Sequence, residues 1–161
     1  VNVAKEAKKL AKHYGADENK AEIAGILHDI TKEMPKEQQL QIIIDSGIIL
    51  DNVQLHAPKL WHGMSGSIVV RDELGIDDED ILNAIRYHTT GRAGMSLLEK
   101  VIFTADFTSS KEKNFRFRRA AIIHVVANLT VPSARLLSCG AELWQEQWLF
   151  HSIQPFQHNF C

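Results

Sequence analysis

Apolar side chains in the first 110 residues recur three and four positions apart, and glycine or capping residues interrupt them at short intervals. Val3, Ala7, Leu10 and Tyr14 have this spacing, and Gly15 follows them where a left-handed helix cap is expected. Such spacing places apolar side chains on one face of a helix. No stretch of this region alternates with the period of two that a half-buried strand needs. The sequence therefore predicts an all-α fold with short connections.

Residues that favour helix ends predict where the helices begin and end. Asp17 and Asp77 can accept hydrogen bonds from the free amides of a helix start, and Pro35 suits a first turn. In the segment "SLLE", Ser96 can accept from the amide of Glu99 while the Glu99 carboxylate reaches back, which is a capping box. The predicted helices cover residues up to about 14, then 17–32, 35–46, 62–74, 77–88 and 96–106, with a loop at 48–60.

Length and composition limit the class of protein. At 161 residues, of which 45% are hydrophobic and 24% charged, the chain has the size and composition of one globular domain. No apolar run approaches the roughly 18 residues that cross a bilayer, so we expect no membrane span. Cys139 and Cys161 form no CxxC motif, which favours a reduced, cytoplasmic setting.

Charge divides the chain into two unlike parts. Residues 1–106 carry 12 Lys and Arg against 17 Asp and Glu, whereas residues 107–161 carry 6 against 3. The net charge of −2 does not favour a nucleic-acid partner. The segment "KNFRFRR" mixes basic and aromatic residues as a nucleic-acid surface would, but a solvated basic face explains it better. The second part lacks clear periodicity and caps, so the sequence predicts no fold for it.

The segment "ILHDITKE" places His28 beside Asp29. Imidazole and carboxylate together form a nitrogen and oxygen ligand set that favours iron, manganese, cobalt or zinc over calcium. An isolated His-Asp pair is more often structural than metal-binding. Lys32 lies one turn after His28, where its ammonium group could meet an anionic substrate oxygen or could simply be solvated.

Three further segments place a His or an Asp at or near a predicted helix end: "WHGMSG" with His62, "RYHTTG" with His88 and "FTAD" with Asp106. Four such segments together favour a metal site more strongly than any one of them alone. Asp106 ends an apolar helix, where a metal ligand is favoured over a cap or an exposed side chain. The four segments therefore predict one shared site.

The residues around His88 offer contacts for phosphate. Hydroxyls and backbone amides of the Thr-Thr-Gly turn that follows could bind phosphate oxygens, although its glycine could also simply end a helix. Arg86 could add a bidentate contact. Lys100 ranks below Lys32, because it can also be a surface residue. The candidate substrate-binding residues are Arg86, Thr89, Thr90, Gly91 and Lys100.

The segments "ILHDITKE", "WHGMSG" and "AIRYHTTGRAGMSLLEKVIFTAD" closely resemble those of the HD-domain metal-dependent phosphohydrolases, in particular the YqeK-type bacterial symmetrical bis(5′-nucleosyl)-tetraphosphatases. The resemblance covers about residues 1–108. It implies an HD-domain helical bundle over that range. Residues 109–161 would then be a divergent C-terminal segment of the same domain or an extension.

The resemblance also implies a dinuclear metal site. His28, Asp29 and Asp106 resemble ligands of one metal, with Asp29 placed to bridge. His62 and His88 resemble ligands of a second metal. The implied cofactor is two divalent or mixed-valence transition metal ions, with iron favoured over manganese, cobalt and zinc.

The sequence departs from the family pattern in two places. The pattern places another His on the first helix a few residues before Val3, and this chain starts at Val1. We therefore expect a truncated first helix that lacks one ligand of the first metal. After Asp106 the family continues with an acidic loop that contains Pro and Arg and then with amphipathic helix, and this chain matches neither. Its tail is either a divergent extension or an artefact of the reading frame.

The expected function is hydrolysis of a dinucleoside polyphosphate. The resemblance implies symmetrical cleavage of diadenosine tetraphosphate to two ADP by metal-activated water, with Asp29 and Lys32 as catalytic residues. One alternative is an HD phosphohydrolase of another nucleotide, such as a guanosine polyphosphate or a nucleoside monophosphate. Another is a catalytically impaired module that binds metal and nucleotide. The expected partner is the nucleotide substrate, and a homodimer is also compatible with the sequence.

Overall fold

The computed structural model describes residues 2–109 of the chain. These residues form seven α-helices. In chain order they are α1 (Asn2–Tyr14), α2 (Glu18–Leu27), α3 (Lys36–Asp45), α4 (Asn52–Leu55), α5 (Trp61–Asp72), α6 (Glu79–Arg86) and α7 (Leu97–Ser109). Residues 2–109 contain no strand, and none of their helices is long and apolar enough to cross a bilayer. The predicted all-α fold is confirmed for this region, while the predictions for residues 110–161 lie outside it.

Two of the predicted helix caps form as expected. The Asp17 carboxylate accepts hydrogen bonds from the amides of Asn19 at 2.8 Å and Lys20 at 3.0 Å. Ser96 and Glu99 form the capping box: Ser96 Oγ accepts from the Glu99 amide at 3.1 Å, and Glu99 Oε1 accepts from the Ser96 amide at 3.3 Å. These side chains satisfy amides that a helix start leaves without partners, and so fix the starts of α2 and α7.

Helix α2 ends at Leu27, well before the predicted end at Lys32. From this point the backbone hydrogen bonds tighten to a three-residue spacing, since the amide of Ile30 donates to the carbonyl of Leu27 and that of Lys32 to Asp29. Tight turns therefore replace the last part of the predicted helix. His28 and Asp29 lie at the end of α2 and not on its flank.

The Gln39 side chain stabilises these turns from α3. It is fully buried, and its Nε2 donates to the carbonyls of Thr31 and Met34 at 2.8 Å each. The Met34 carbonyl thereby gains a partner, and the Thr31 carbonyl, which already accepts from the Met34 amide, gains a second. The predicted end of α2 was wrong because a contact from the next helix leaves no local pattern in the sequence.

Three smaller differences concern helix bounds. Asp78 caps α6 in place of the predicted Asp77. The predicted loop at 48–60 contains α4 and a 3₁₀ turn. Helix α7 continues past the predicted end at Asp106 to Ser109. Adjacent aspartates have the same capping chemistry, so the sequence alone does not choose between them.

Apolar side chains form two clusters, and α5 contributes to both. The larger cluster lies among α1, α2, α6 and α7 and includes Val70 from the end of α5. The second lies between α3 and α5 and contains Ile43, Trp61, Met64 and Ile68. Because its first ten residues are all buried, α5 is fixed from both sides. His62, in its first turn, is fixed with it.

Two glycines allow pairs of helices to approach closely. A Cβ added to Gly25 in α2 would lie 2.7 Å from the Cα of Ala4 in α1. A Cβ added to Gly63 in α5 would lie 2.7 Å from the carbonyl oxygen of Arg86 at the end of α6. Backbone atoms cannot yield as a flexible side chain can, so any larger residue would separate the helices.

Gly25→Ala should destabilise the fold by about 1–3 kcal/mol. The new methyl group forces α1 away from α2, and this cost exceeds the gain in helix propensity of about 1 kcal/mol. Urea unfolding followed by circular dichroism measures the change. Gly66→Ala is the matched control, because a Cβ there has its nearest neighbours at 3.5 Å, an ordinary contact distance. Equal losses of stability in the two variants would contradict the close approach at Gly25.

Candidate metal centre

Four segments bring ligand side chains to one place. His28 and Asp29 follow α2, His62 lies in the first turn of α5, His88 lies just beyond α6, and Asp106 lies near the end of α7. The three histidines are buried and the two carboxylates are partly exposed. The structure thus brings together all five side chains that the sequence predicted as metal ligands.

The two oxygens of Asp29 face different histidines. Asp29 Oδ2 lies 3.4 Å from Nε2 of His28, whereas Oδ1 lies 3.5 Å from Nε2 of both His62 and His88. On the His28 side, Asp106 Oδ1 lies 3.5 Å from the same Nε2 atom. The Asp29 carboxylate therefore lies between two sets of potential ligand atoms.

Backbone carbonyls fix the orientation of all three imidazoles. In each ring Nδ1 contacts the carbonyl three residues earlier, at 3.0 Å for His28, 2.8 Å for His62 and 2.7 Å for His88. A carbonyl oxygen can only accept, so Nδ1 carries the proton in each case. Nε2 of each ring then faces the cluster, where it presents a lone pair whenever the imidazole is neutral, as metal binding requires.

The Nε2 atoms of His62 and His88 lie 3.1 Å apart. Because both rings donate from Nδ1, two lone pairs face each other across this gap unless a proton or a cation lies between them. Asp29 Oδ1 is buried beside them and has no hydrogen-bond partner within residues 2–109. A transition metal ion would satisfy all three atoms, so this donor set fits a bound cation.

Ligand atoms lie within 4.8 Å of one another in two overlapping groups of three residues. One group is His28, His88 and Asp106, and the other is Asp29, His62 and His88. The described helices contain no other group of this kind. His88 belongs to both groups, whereas the resemblance implied that it serves the second metal alone.

The protonation of the cluster follows from burial and from charge. Burial alone would lower the pKa of His28, but its hydrogen bonds with Asp106 and Asp29 outweigh burial and raise the pKa to about 9. Burial, reinforced by the neighbouring His88, lowers the pKa of His62 to about 4. Burial would also raise the pKa of Asp29, but contacts with His28, His88 and Lys32 hold it well below its usual range. Asp29 is therefore ionised and His62 neutral, which are the forms that bind metal, whereas a metal ion at His28 would displace the proton on its Nε2.

Two of the predicted catalytic and substrate-binding side chains touch the cluster. Lys32 Nζ donates to Asp29 Oδ2 at 2.6 Å, and the lysine side chain is half exposed. Thr89 Oγ1 lies 3.3 Å from Nε2 of His62. An ammonium group and a hydroxyl thus lie next to the candidate metal ligands.

The other predicted substrate-binding residues are Arg86, Thr90 and Gly91, which lie within three residues of His88 in the sequence, and Lys100 on α7. Arg86 is partly buried, and its Nε has no hydrogen-bond partner in the described part of the chain. Thr90 is exposed, and Gly91 has a φ of 62°, a left-handed value that glycine adopts without strain. Lys100 is partly exposed on α7. Their roles in binding stay predictions.

Sequence reasoning missed Thr31 and Ser65. Thr31 Oγ1 donates to the carbonyl of His62 at 2.9 Å and contacts Ser65 Oγ at 2.8 Å. Both side chains are buried, and they connect the turn that carries Asp29 to the start of α5. A Thr in a turn and a Ser in a helix are common, so no signal in the sequence distinguishes them.

A family model described as "HD domain" matches residues 1–111. The chain belongs to the HD-domain family. It is 52% identical over 110 residues to the symmetrical bis(5′-nucleosyl)-tetraphosphatase of Bacillus subtilis (strain 168), a match that covers 66% of this chain and 57% of the relative. The protein of the same name from Halalkalibacterium halodurans is 46% identical over 107 residues, with the same coverage of 66% and 57%. The HD-domain chain thus spans little more than half the length of these relatives.

A solved structure has a similar fold. It is a crystal structure of a Clostridium acetobutylicum protein described as a predicted HD superfamily hydrolase involved in NAD metabolism. The TM-score is 0.76 and the sequence identity 34%, with 98% of this chain and 79% of that chain covered. This likeness supports the HD-domain helical fold that the sequence predicted.

Asp29→Ala should remove most of the metal from protein purified without chelator, because the Asp29 carboxylate faces both sets of ligands. His62→Ala should retain about one ion per chain, since the His28 side of the cluster is intact. Elemental analysis gives the metal content per chain. His56→Ala is the control, because His56 is exposed and lies outside both groups. Equal metal loss in the Asp29 and His62 variants, with helical content unchanged, would indicate a single ion.

Proposed function

We propose that this HD-domain protein is a metal-dependent phosphohydrolase that cleaves diadenosine tetraphosphate symmetrically to two ADP. The observation that carries the proposal is the 3.1 Å approach of two imidazole nitrogens beside the unpaired oxygen of Asp29. The substrate is inferred from the relatives in B. subtilis and H. halodurans, which are named symmetrical bis(5′-nucleosyl)-tetraphosphatases. Residues 1–108 would form the core that carries this activity.

We infer that the cluster holds two transition metal ions. His28 and Asp106 would hold one ion and His62 and His88 the other, with the Asp29 carboxylate between them. A mixed set of imidazole and carboxylate ligands suits iron, manganese, cobalt and zinc, and the resemblance to the YqeK-type tetraphosphatases favours iron among them. When bound, such ions lower the pKa of water and neutralise phosphate charge.

The chain's own side chains would position the phosphates. Lys32 holds Asp29 through its 2.6 Å contact and adds positive charge at the partly exposed edge of the cluster. The Thr89 hydroxyl, which lies 3.3 Å from Nε2 of His62, would donate to a phosphate oxygen. Arg86 has an unpaired buried Nε, and a guanidinium group in that state favours an anionic ligand. Fixed donors of this kind stabilise charge that develops on phosphate oxygens during cleavage.

A second candidate is hydrolysis of another nucleotide. The C. acetobutylicum protein of similar fold is described as involved in NAD metabolism and not as a tetraphosphatase. An activity on a dinucleotide of that kind, or on a mononucleotide, would use the same metal ligands and differ in the contacts to the nucleoside. A panel of nucleotides, assayed under one set of metal conditions, separates the candidates.

Hydrolysis of diadenosine tetraphosphate in oxygen-18 water should give ADP as the only nucleotide product. One water is consumed and one P–O bond at an inner phosphorus breaks, so about one labelled ADP should form per unlabelled ADP. The assay uses metal-loaded protein, with the products resolved by mass spectrometry. Formation of AMP and ATP would refute symmetrical cleavage. Release of phosphate from monophosphates would favour the second candidate.

Lys32→Ala should slow turnover on the order of 100-fold while the metal content stays unchanged, because it removes a fixed positive charge beside the reacting phosphate. Steady-state rates and elemental analysis on the same preparation test both parts. Lys9→Ala is the matched control, since Lys9 has an acidic partner three residues earlier, Glu6, but lies exposed on α1. Loss of metal in the Lys32 variant would show that this lysine supports the ligands and does not act on the substrate.

A further inference from the structure

The Glu99 carboxylate is almost completely buried on α7 and is not among the candidate metal ligands. Its two oxygens accept hydrogen bonds from Arg92, at 2.8 Å from Nε and 2.7 Å from Nη2. This bidentate geometry fixes the orientation of the guanidinium plane as well as its distance from the carboxylate. Arg92 belongs to the connection between α6 and α7, which begins with the Thr-Thr-Gly turn.

The same carboxylate connects three parts of the chain. Glu99 Oε1 also accepts from the amide of Ser96, and Ser96 Oγ donates to Asp80 Oδ1 at 2.6 Å. Asp80 lies in the first turn of α6. The start of α6, the end of the connection and the start of α7 are therefore held by one set of hydrogen bonds.

The other end of the connection is held by Tyr87. The guanidinium carbon of Arg92 lies 4.7 Å from the centre of the Tyr87 ring, a cation–π contact. The Tyr87 carbonyl accepts from the amide of Gly91 at 2.8 Å. Residues 89–91 thus form a closed turn between His88 and the fixed Arg92.

Stability alone does not account for this ion pair, in which the Glu99 carboxylate is buried while Arg92 is partly open to solvent. Removing the carboxylate from water offsets much of its attraction to Arg92, so an apolar residue of similar size often serves a core equally well. What the pair supplies is a fixed position for the turn that precedes it. Thr89 in that turn lies 3.3 Å from Nε2 of His62, so a shift of the turn would move a hydroxyl relative to the cluster.

We propose that the Glu99–Arg92 ion pair is a positioning device that holds residues 89–91 in the shape that accepts substrate phosphate. The proposal rests on the proposed function, since phosphate is the ligand of this turn. Glu99 and Arg92 act through the turn and hold no metal. Loss of the pair should therefore weaken substrate binding and leave the metal cluster intact.

Glu99→Gln removes the charge and one acceptor while it keeps the side-chain size and the contact to Ser96. In the metal-loaded protein it should raise KM for diadenosine tetraphosphate about tenfold, with kcat within about twofold. The metal content should be that of the parent protein. Hydrogen exchange of the Gly91 amide should become about tenfold faster, whereas exchange of the buried Ile102 amide on α7 should not change.

Arg92→Lys keeps the charge but loses the bidentate contact, and should give smaller changes in the same direction. Arg92 is the more exposed partner of the pair, so the Arg92→Lys variant tests the proposal even if the Glu99→Gln variant unfolds. Arg71→Ala is the control, because it removes an exposed pair with Asp72 and should leave KM and exchange at Gly91 unchanged.

Unchanged KM and unchanged exchange at Gly91 in both variants would overturn the proposal. Equal acceleration of exchange at Gly91 and Ile102 would also overturn it, because the pair would then serve the whole fold and not the turn. If the parent protein does not cleave the dinucleotide, the proposed function fails. The exchange measurement still decides whether the pair holds the turn.

Discussion

Two imidazole nitrogens that face each other at 3.1 Å, those of His62 and His88, can remain so close only with a proton or a cation between them. The fold enforces this contact. At Gly63, α5 approaches α6 so closely that an added Cβ would lie 2.7 Å from the Arg86 carbonyl oxygen. Carbonyl contacts at Nδ1 then prevent either ring from turning away. Packing between helices therefore sets the geometry of the metal ligands.

The candidate metal ligands lie at helix ends, and their positions depend on polar contacts that hold the adjoining turns. Thr31, Gln39 and Glu99 are all buried, and each has hydrogen-bond partners that fix a turn next to the cluster. A buried polar group without a partner is costly, so such groups are normally paired. Asp29 Oδ1 departs from that rule at the point where the histidine nitrogens converge. This unpaired oxygen lies beside two imidazole nitrogens whose lone pairs face each other, and the combination favours a bound cation there.

Helix caps formed between residues close in the sequence were predictable. The caps at Asp17 and Ser96 depend on side chains within three residues of the amides they satisfy, so the sequence contains the whole interaction. The metal ligands were predicted because four short segments resemble a known family. The end of α2 was not predictable, because Gln39 on another helix stabilises the turns after it. The burial of Glu99 was hidden for a similar reason, since its capping role is local but its pairing with Arg92 spans a loop.

Anomalous X-ray diffraction from crystals of the metal-loaded protein, collected on both sides of the metal absorption edge, tests the central claim most directly. Two peaks should lie on opposite sides of the Asp29 carboxylate. One should be bounded by His28 and Asp106, and the other by His62 and His88. A single peak, or peaks away from Asp29, would contradict the dinuclear centre on which the proposed hydrolysis rests.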